Sequence, residues 1–403
     1  MPDIKPLKKL VGKARDLREG HRARHRPTGF GFAFADSVGY LDAARWDELT
    51  AGHSVFLARR YLRVLEEAGP ENLRQRYAMV FRGREAVAAV SAQCVTVSAA
   101  RVRRNVRNER LAAALEHVRE RMLVCGNLLS WGAHGVAFAP GEDAAALWPA
   151  VAEALYRLRR ADKLSGDADI IMVKDVSAEH APGAEALSKF SYRALETEPD
   201  MVLELSPGWG GYEDYLASLT AKYRKAARQI EKDVTAAGCT VEELKEIAPH
   251  ADALHGLYMQ THSNARLRLV TLPASYLPAL AETFGDEMRC TVVRRGDELL
   301  GFVTTVRDGE TAVGYYIGFD REANAEFPVY LRLLQAVVAD AIGLGCRRLS
   351  LGRTALEPKA RLGARPAPMS VWIRHRIPAL NVVVRGLLRA VPHDEAPDRN
   401  PFK

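Results

Sequence analysis

Arg353, Lys359, Arg361 and Arg365 crowd into LGRTALEPKARLGARP, positions 351–366, directly behind an apolar segment that reads as a buried strand. Cations gathered where a strand ends suit an anionic ligand. A guanidinium such as Arg353 can fork onto a phosphate, and a desolvated ammonium such as Lys359 can offset a developing oxyanion. Gly352 precedes them at the strand's carboxyl end, the end at which open α/β sheets bind ligands. A solvated basic loop has the same composition. A second cluster, Lys222, Arg224, Lys225 and Arg228, joined by Lys232, lies in YLASLTAKYRKAARQIEKDV (215–234), where five cations meet only Glu231 and Asp233. Leu216, Leu219, Tyr223, Ala226, Ile230 and Val234 recur there at helical spacing and are expected to face the core. The cations then occupy the outer faces, either as an ordinary charged surface or as contacts to a phosphate-rich ligand.

Other positions can move protons. Tyr315 and Tyr316 lie in TAVGYYIGF (311–319), an alternating strand, so one ring is expected on each side of the sheet. A phenol there can protonate a leaving group, although packing alone accounts for a buried tyrosine. His262, in THSNARLRLVTLP (261–273) with Asn264 and Arg266, titrates near neutrality by default and can deprotonate an ammonium nucleophile. That segment reads as a loop between helices. Asp320, at the end of the tyrosine strand, suits a turn cap, and His134 precedes Gly135 in WGAHGVAF (131–138).

The elements that must position these residues occur twice. YLRVLEEAG (61–69) resembles YLPALAETFG (276–285), and a hairpin follows each: MVFRGREAVAAVSA (79–92) and VVRRGDELLGFVTT (292–305). At a constant offset of 213, Val80 pairs with Val293, Arg82 with Arg295, Gly83 with Gly296 and Glu85 with Glu298. Each copy continues with a third strand (NLLSWGAHGVAFA, 127–139; TAVGYYIGF, 311–319), a long helix (144–162; 328–345) and a further strand (168–176; RRLSLG, 347–352). A strand–helix–strand segment implies a right-handed crossover and a parallel pair at the end of an otherwise antiparallel sheet. The first copy alone has an insert at 102–122, expected to be helical. The boundary is expected near EPDMVLELSPGWGGYEDY (198–215), whose prolines and glycines break the pattern, with MVLEL as a strand exchanged or shared across it.

At 403 residues the chain fits two domains better than one core. It is 48% apolar and 27% charged, with a formal net charge of +7 that favours anionic partners without choosing among them. Five cysteines stand apart, with no CxxC and no Cys/His cluster, so reduced buried thiols are expected and a metal site is not. The first 27 residues hold nine Lys/Arg against three Asp/Glu, either a solvated arm or a contact to RNA or to an anionic membrane face. No signal-like apolar run opens the sequence, and the apolar run IPALNVVVRGLLRAVP (377–392) is broken by Arg385 and Arg389. Elimination therefore points to the cytoplasm.

Tandem α/β units of this pattern resemble the duplicated GNAT fold of the peptidoglycan-bridge (Fem-type) aminoacyltransferases and of their relatives in peptidoglycan biosynthesis and recognition. Three segments carry the resemblance: the tyrosine-led basic helix (212–234), the strand–loop–helix–strand at 314–353, and the lysine after it. The closing PDRNPFK is also similar. The resemblance implies an α/β fold of two tandem GNAT-like domains, each a mixed, mostly antiparallel sheet flanked by helices. Its expected limits are a basic arm (1–27), an N-terminal domain (28–200), a C-terminal domain (201–370) and an extension (371–403). It also implies that Lys359 contacts the donor's phosphate–ribose end and offsets the tetrahedral intermediate. Two features depart from the pattern. FDREANAEFPVYL (319–331) lacks the glycines of a coenzyme A pyrophosphate loop, and no coiled-coil arm interrupts the second domain.

No Ser–His–Asp order, nucleophile elbow, Walker loop or metal motif is present, which suits direct attack of an amine on an activated acyl group. The expected activity is amide-forming aminoacyl or acyl transfer without a bound cofactor, aminoacyl-tRNA being the leading co-substrate. The expected acceptor is a peptidoglycan precursor or a peptide-like amine. Lys359, Tyr315, Tyr316 and His262 are the catalytic candidates; Gly352, Arg353 and the cations at 222, 224, 225 and 228 are the donor-binding ones. An acyl-CoA-dependent N-acyltransferase and a non-catalytic ligand-binding protein are the alternatives.

Overall fold

Alternating apolar residues around one glycine should close a tight hairpin, and in the computed structural model both copies do. It describes residues 26–98, 119–166, 168–179, 181–263, 268–377, 381, 397 and 399–403. Residues 1–25 of the basic arm, 102–118 of the insert, Asn264, Arg266 and most of the apolar run at 377–392 lie outside the described residues.

The N-terminal half contains β1 (Gly31–Ala35), α1 (Ala43–Thr50), α2 (Arg59–Ala68), β2 (Leu73–Arg82), β3 (Glu85–Ser98), β4 (Arg119–Cys125), β5 (Val136–Phe138), α3 (Ala144–Ala161), β6 (Ile170–Val176) and β7 (Arg193–Glu204). The C-terminal half contains α4 (Tyr212–Ser218), α5 (Ala221–Ala236), β8 (Thr240–Glu243), α6 (Ala251–His262), α7 (Tyr276–Phe284), β9 (Met288–Arg295), β10 (Glu298–Asp308) and β11 (Thr311–Phe319). It continues with α8 (Arg321–Glu326), α9 (Val329–Gly343), β12 (Arg348–Ser350), α10 (Leu356–Arg361) and β13 (Arg365–His375).

The repeat read from the sequence is a structural repeat. Arg82 pairs with Glu85 and Arg295 with Glu298 across the two turns, and Gly83 and Gly296 both take left-handed φ, 62° and 59°. That region favours glycine. In each half a strand on the N-terminal side of the long helix runs parallel to the strand after it: β4 to β6 and β11 to β12. The repeated helices α2 and α7 meet, and their leading tyrosines touch. Tyr61 Oη and Tyr276 Oη are 3.2 Å apart, both fully buried.

The two sheets join. The order is β1-β2-β3-β4-β6-β13-β7-β12-β11-β10-β9-β8, so β7 leaves the N-terminal half to pair with β12, and β13 returns to pair with β6. The exchange at MVLEL is thus one half of a reciprocal swap. β7 is continuous through 200 and 201, the position of the expected domain limit.

Two expectations need correction. The third strand of the first copy is not 127–139. It runs 119–125, with 119–122 extended rather than helical, and resumes at 136–138 after a loop. Nor do Tyr315 and Tyr316 face opposite sides. Val303 pairs with Ile317 but Thr305 pairs with Gly314, a bulge that sets two residues of β11 against Thr304. Thr304 Oγ1 accepts the Tyr316 N–H at 2.9 Å, and the two rings pack edge to face, 4.6 Å between centroids.

Gly318 lets α6 lie directly on β11. A Cβ there would stand 2.6 Å from Tyr258 N and 2.5 Å from the Phe302 ring. Backbone cannot yield as a side-chain tip can, so Gly318→Ala is expected to lower unfolding stability by about 1–3 kcal/mol. Chemical denaturation of the variant measures this, with Gly256→Ala, whose Cβ would meet nothing within 4 Å, as the comparison.

Candidate functional site

Charged residues in an apolar strand need partners, and the two long-helix crossovers deliver theirs to one place. β6 reads Ile-Ile-Met-Val and then Lys174-Asp175; β12 is followed by Gly352-Arg353. Asp175, with no exposed side-chain surface, pairs with both Arg353 and Lys174 and accepts the Gly132 N–H at 3.1 Å. Asp175 takes a left-handed φ of 58° to do so, a conformation tolerated by aspartate but not free of cost. Burial lowers Arg353 to about 10 and pulls Lys174 well below its usual range, the Arg353 charge adding to the latter.

Gly352 has φ 77°, and its backbone lies against the Trp131 ring, where a Cβ would approach to 3.1 Å. α10 then brings Lys359 back beneath the strand end. The side chain is 4% exposed, and Nζ donates to Gly352 O at 3.1 Å. Burial lowers Lys359 to about 8, against the opposing pull of Asp200 and Glu198. Asp200, on the exchanged strand β7, accepts Ser350 Oγ–H at 2.6 Å and the Gly352 N–H at 2.8 Å. Ser350 Oγ in turn accepts Trp131 Nε1–H at 2.6 Å.

Trp131, Asp175, Asp200, Ser350, Arg365 and Met369 line a cleft of 1320 Å³ between the halves. Arg353 stands behind this wall with Nη2 3.7 Å from Met369 Sδ. β11 and β12 are paired only from Thr311–Arg348 to Val313–Ser350, while β11 runs on to Phe319. The N-terminal loop spans the parting: Tyr316 Oη–H donates to Leu129 O at 2.9 Å on one side, and Trp131 holds Ser350 on the other.

Not every sequence candidate gathers here. Gly352, Arg353 and Lys359 come together just behind the cleft wall without lining it, and Tyr316 borders the parting. Tyr315 is enclosed with Tyr276 (2.8 Å) and Tyr61 (3.0 Å), whose hydroxyl also accepts from Asn127 Nδ2 at 2.7 Å. His262 ends α6, within 3.1 Å of Thr271 Oγ1 and stacked on Tyr258, and does not line the cleft. Asp320 caps α8 through the Ala323 N–H.

The basic helix is two helices, broken at Leu219–Thr220, and this shifts its buried stripe: Ala227 and Val234 are buried whereas Ala226 is exposed. Arg224 Nη1 donates to Leu219 O at 3.1 Å, and Arg228 pairs with Glu213 and Glu231, so both are engaged within the protein. Lys222 and Lys225 are exposed.

Asp175, Asp200, Lys174 and Trp131 were missed by sequence reasoning. Their only local signal was ionisable residues closing apolar strands. Among the described residues no cluster of His, Cys, Asp or Glu has the form of a metal site, and no helix is long and apolar enough to cross a membrane. The described cysteines are free and buried.

Removing one member of a buried ion pair strands the other. Arg353→Met and Asp175→Asn are each expected to cost about 3–5 kcal/mol, and the double variant less than their sum, as a double-mutant cycle in denaturant would read. Lys359 adds a pH dependence. Its folded value of about 8 lies below the ordinary 10.5. Between those values the unfolded chain binds the extra proton, so stability rises with pH across the window and is lost as pH falls through 8. Melting curves from pH 7 to 10.5 should show the rise in the native protein and flatten it in Lys359→Met.

Residues 217–360 match the acetyltransferase (GNAT) domain family. Over 261 residues the chain is 26% identical to a Mycobacterium tuberculosis protein named as an 8-amino-7-oxononanoate synthase 2, covering 63% of this chain and 33% of that protein. The chain therefore spans about a third of the length of that curated relative. The crystal structure of FemX superimposes with a TM-score of 0.52 at 11% identity, over 88% of this chain and 99% of FemX. A tandem GNAT protein from the clavulanic acid biosynthesis pathway gives 0.49 at 12% identity, over 86% and 98%. Residues 217–360 are thus similar to an acetyltransferase (GNAT) domain, within a chain whose overall fold is the one seen in FemX.

Proposed function

We propose that this chain transfers an acyl or aminoacyl group from an activated carrier to an amine, forming an amide, and that the carrier is an aminoacyl-tRNA. One observation carries the reading. The parallel strands β11 and β12 stop pairing at Val313 and Ser350 beside a cleft. Beyond that point the β11 backbone has polar groups that β12 does not satisfy, and extended backbone of that kind can hold an acyl carrier's carbonyl or amide. An amine in the cleft then approaches the carbonyl carbon from the side of Trp131 and Ser350. Attack forms the new C–N bond, the C–O bond to the carrier ribose breaks, and the proton lost by the amine balances the one gained by the leaving oxygen. Behind the cleft wall the Lys359 ammonium donates to Gly352 O, and a cation so placed can offset a developing oxyanion.

The choice of carrier rests on the segment after β11. Arg321–Glu326 is a capped helix with no glycine, so the backbone nest that a coenzyme A pyrophosphate would use is replaced. The exposed Lys222 and Lys225 offer contacts to a nucleic-acid backbone. The family match to acetyltransferases favours acyl-CoA as the second reading. At 1320 Å³ the cleft exceeds the ordinary range for small-ligand pockets, which suits an extended acceptor such as a peptide or a peptidoglycan precursor.

Incubation with charged total tRNA plus a pool of amino acids and short peptides, and separately with a panel of acyl-CoAs, tests this. Amine-dependent deacylation of tRNA that RNase treatment abolishes is the expected result. Turnover of an acyl-CoA instead selects the second reading, and turnover of neither rejects acyl transfer.

A further inference from the structure

We propose that Asp200, acting through the Ser350 hydroxyl, takes the proton from the attacking amine; the inference rests on the acyl-transfer reading above. Its basis is the orientation of one hydrogen. An indole N–H only donates, so Trp131 Nε1, at 2.6 Å, must occupy a lone pair of Ser350 Oγ. The Ser350 hydrogen is thereby directed to Asp200 Oδ2, also at 2.6 Å. Ser350 Oγ keeps one acceptor lone pair, and Ser350, Asp200 and Trp131 all line the cleft. An amine N–H presented from the cleft to that lone pair meets a hydroxyl already aimed at a carboxylate. Asp200 is itself held in place, because Oδ1 accepts the Gly352 N–H at 2.8 Å.

The step balances. As the amine nitrogen bonds to the acyl carbon, its proton passes to Ser350 Oγ while the Ser350 proton passes to Asp200 Oδ2. When the carbon–oxygen bond to the carrier breaks, the leaving oxygen takes a proton back along the same path, and Asp200 returns to the carboxylate. No oxidant, metal or further reactant is needed.

Asp200 contrasts with the other buried carboxylate in the cleft wall. Asp175 is clamped by Arg353 and Lys174. Asp200 is held by hydrogen bonds, with Lys359 as a cation turned toward Gly352 O rather than clamped onto it. Burial raises the Asp200 carboxyl above its usual range, against the pull of Ser350, Gly352, Lys359 and Met201. A base for an amine is more effective when its proton affinity is raised toward the working pH. The charged groups around it are Lys359 on α10, Glu198 on its own strand, and Arg353 beside Gly352 with its partners Asp175 and Lys174.

Two measurements on the full chain test the assignment. In a ¹⁵N-labelled sample the Trp131 indole N–H resonance, identified with Trp131→Phe, should shift with pH as Asp200 titrates, and Asp200→Asn should abolish that shift. In steady-state transfer from the donor that wild type turns over, Asp200→Asn should lower kcat about 10²–10⁴-fold with little change in donor KM. It should also remove the loss of rate seen as pH falls. Ser350→Ala should reproduce the kinetic loss while leaving the carboxylate in place. An unshifted indole resonance, or Asp200→Asn with the wild-type pH profile, overturns the assignment while wild-type turnover keeps the acyl-transfer reading. Wild type without turnover of any donor rejects both.

Discussion

The pairing of Arg353 with Asp175 is the constraint on which the arrangement around the cleft depends. It joins the end of β6 to the residues just after β12, across the exchanged strands β13 and β7 that lie between them in the sheet. The pair is costly to bury, and Asp175 accepts a left-handed backbone to complete it. Once formed, it holds the turn at Gly352 beside Trp131, and through that turn it sets where Lys359 and Asp200 find the Gly352 carbonyl and N–H. Hydrophobic replacements of equal volume often stabilise such sites, so the charges are better understood through what they position.

The duplicated halves use one device with two outcomes. In the C-terminal half Thr304 Oγ1 accepts the Tyr316 N–H; in the N-terminal half Gln93 Oε1 accepts the Leu128 N–H at 2.7 Å. After that shared kink the chains differ. β11 returns to the ladder with Ile317, whereas the first copy wanders through 126–135 before Val136 resumes pairing. The extra residues bring Trp131 to Ser350 of the other half. In exchange the N-terminal half has no matching gap, since Lys174 packs against Gly126 and donates to Ser130 O at 2.7 Å. One half keeps the parting of strands, and the other supplies part of its wall.

What the sequence made legible was local. The hairpins followed from a glycine with positive φ between alternating strands, and the crossovers from a helix between two apolar runs. β13 was not visible because Pro366 and Pro368 argue against an interior strand; a register shift between Ala367 and Met369 accommodates the second of them. Gly352, Arg353 and Lys359 stood out as a turn with cations, but their carboxylate partners did not. Asp200 meets Ser350 across 150 positions of sequence, and no local period encodes that. The basic helix misled for a related reason. Composition counted its cations but not the carbonyl and carboxylate partners that a break at Leu219 brings within reach of Arg224 and Arg228.

Burial separates the roles of the titratable groups more sharply than residue type does. The phenols of Tyr61, Tyr276 and Tyr315 are enclosed and raised by burial, so they remain neutral donors that lock α2, α7 and β11 together. Asp175 is saturated with positive charge. Asp200 alone among these groups combines a place on the cleft wall, a hydrogen-bonded hydroxyl facing the same cleft, and an ionisation that burial has brought nearer to neutrality. Groups whose environments push their proton affinities apart tend to divide acid, base and scaffold among themselves. By that criterion the exchanged strand contributes more than continuity of the sheet. It carries into the C-terminal half a buried carboxylate that meets the Ser350 hydroxyl at the cleft wall.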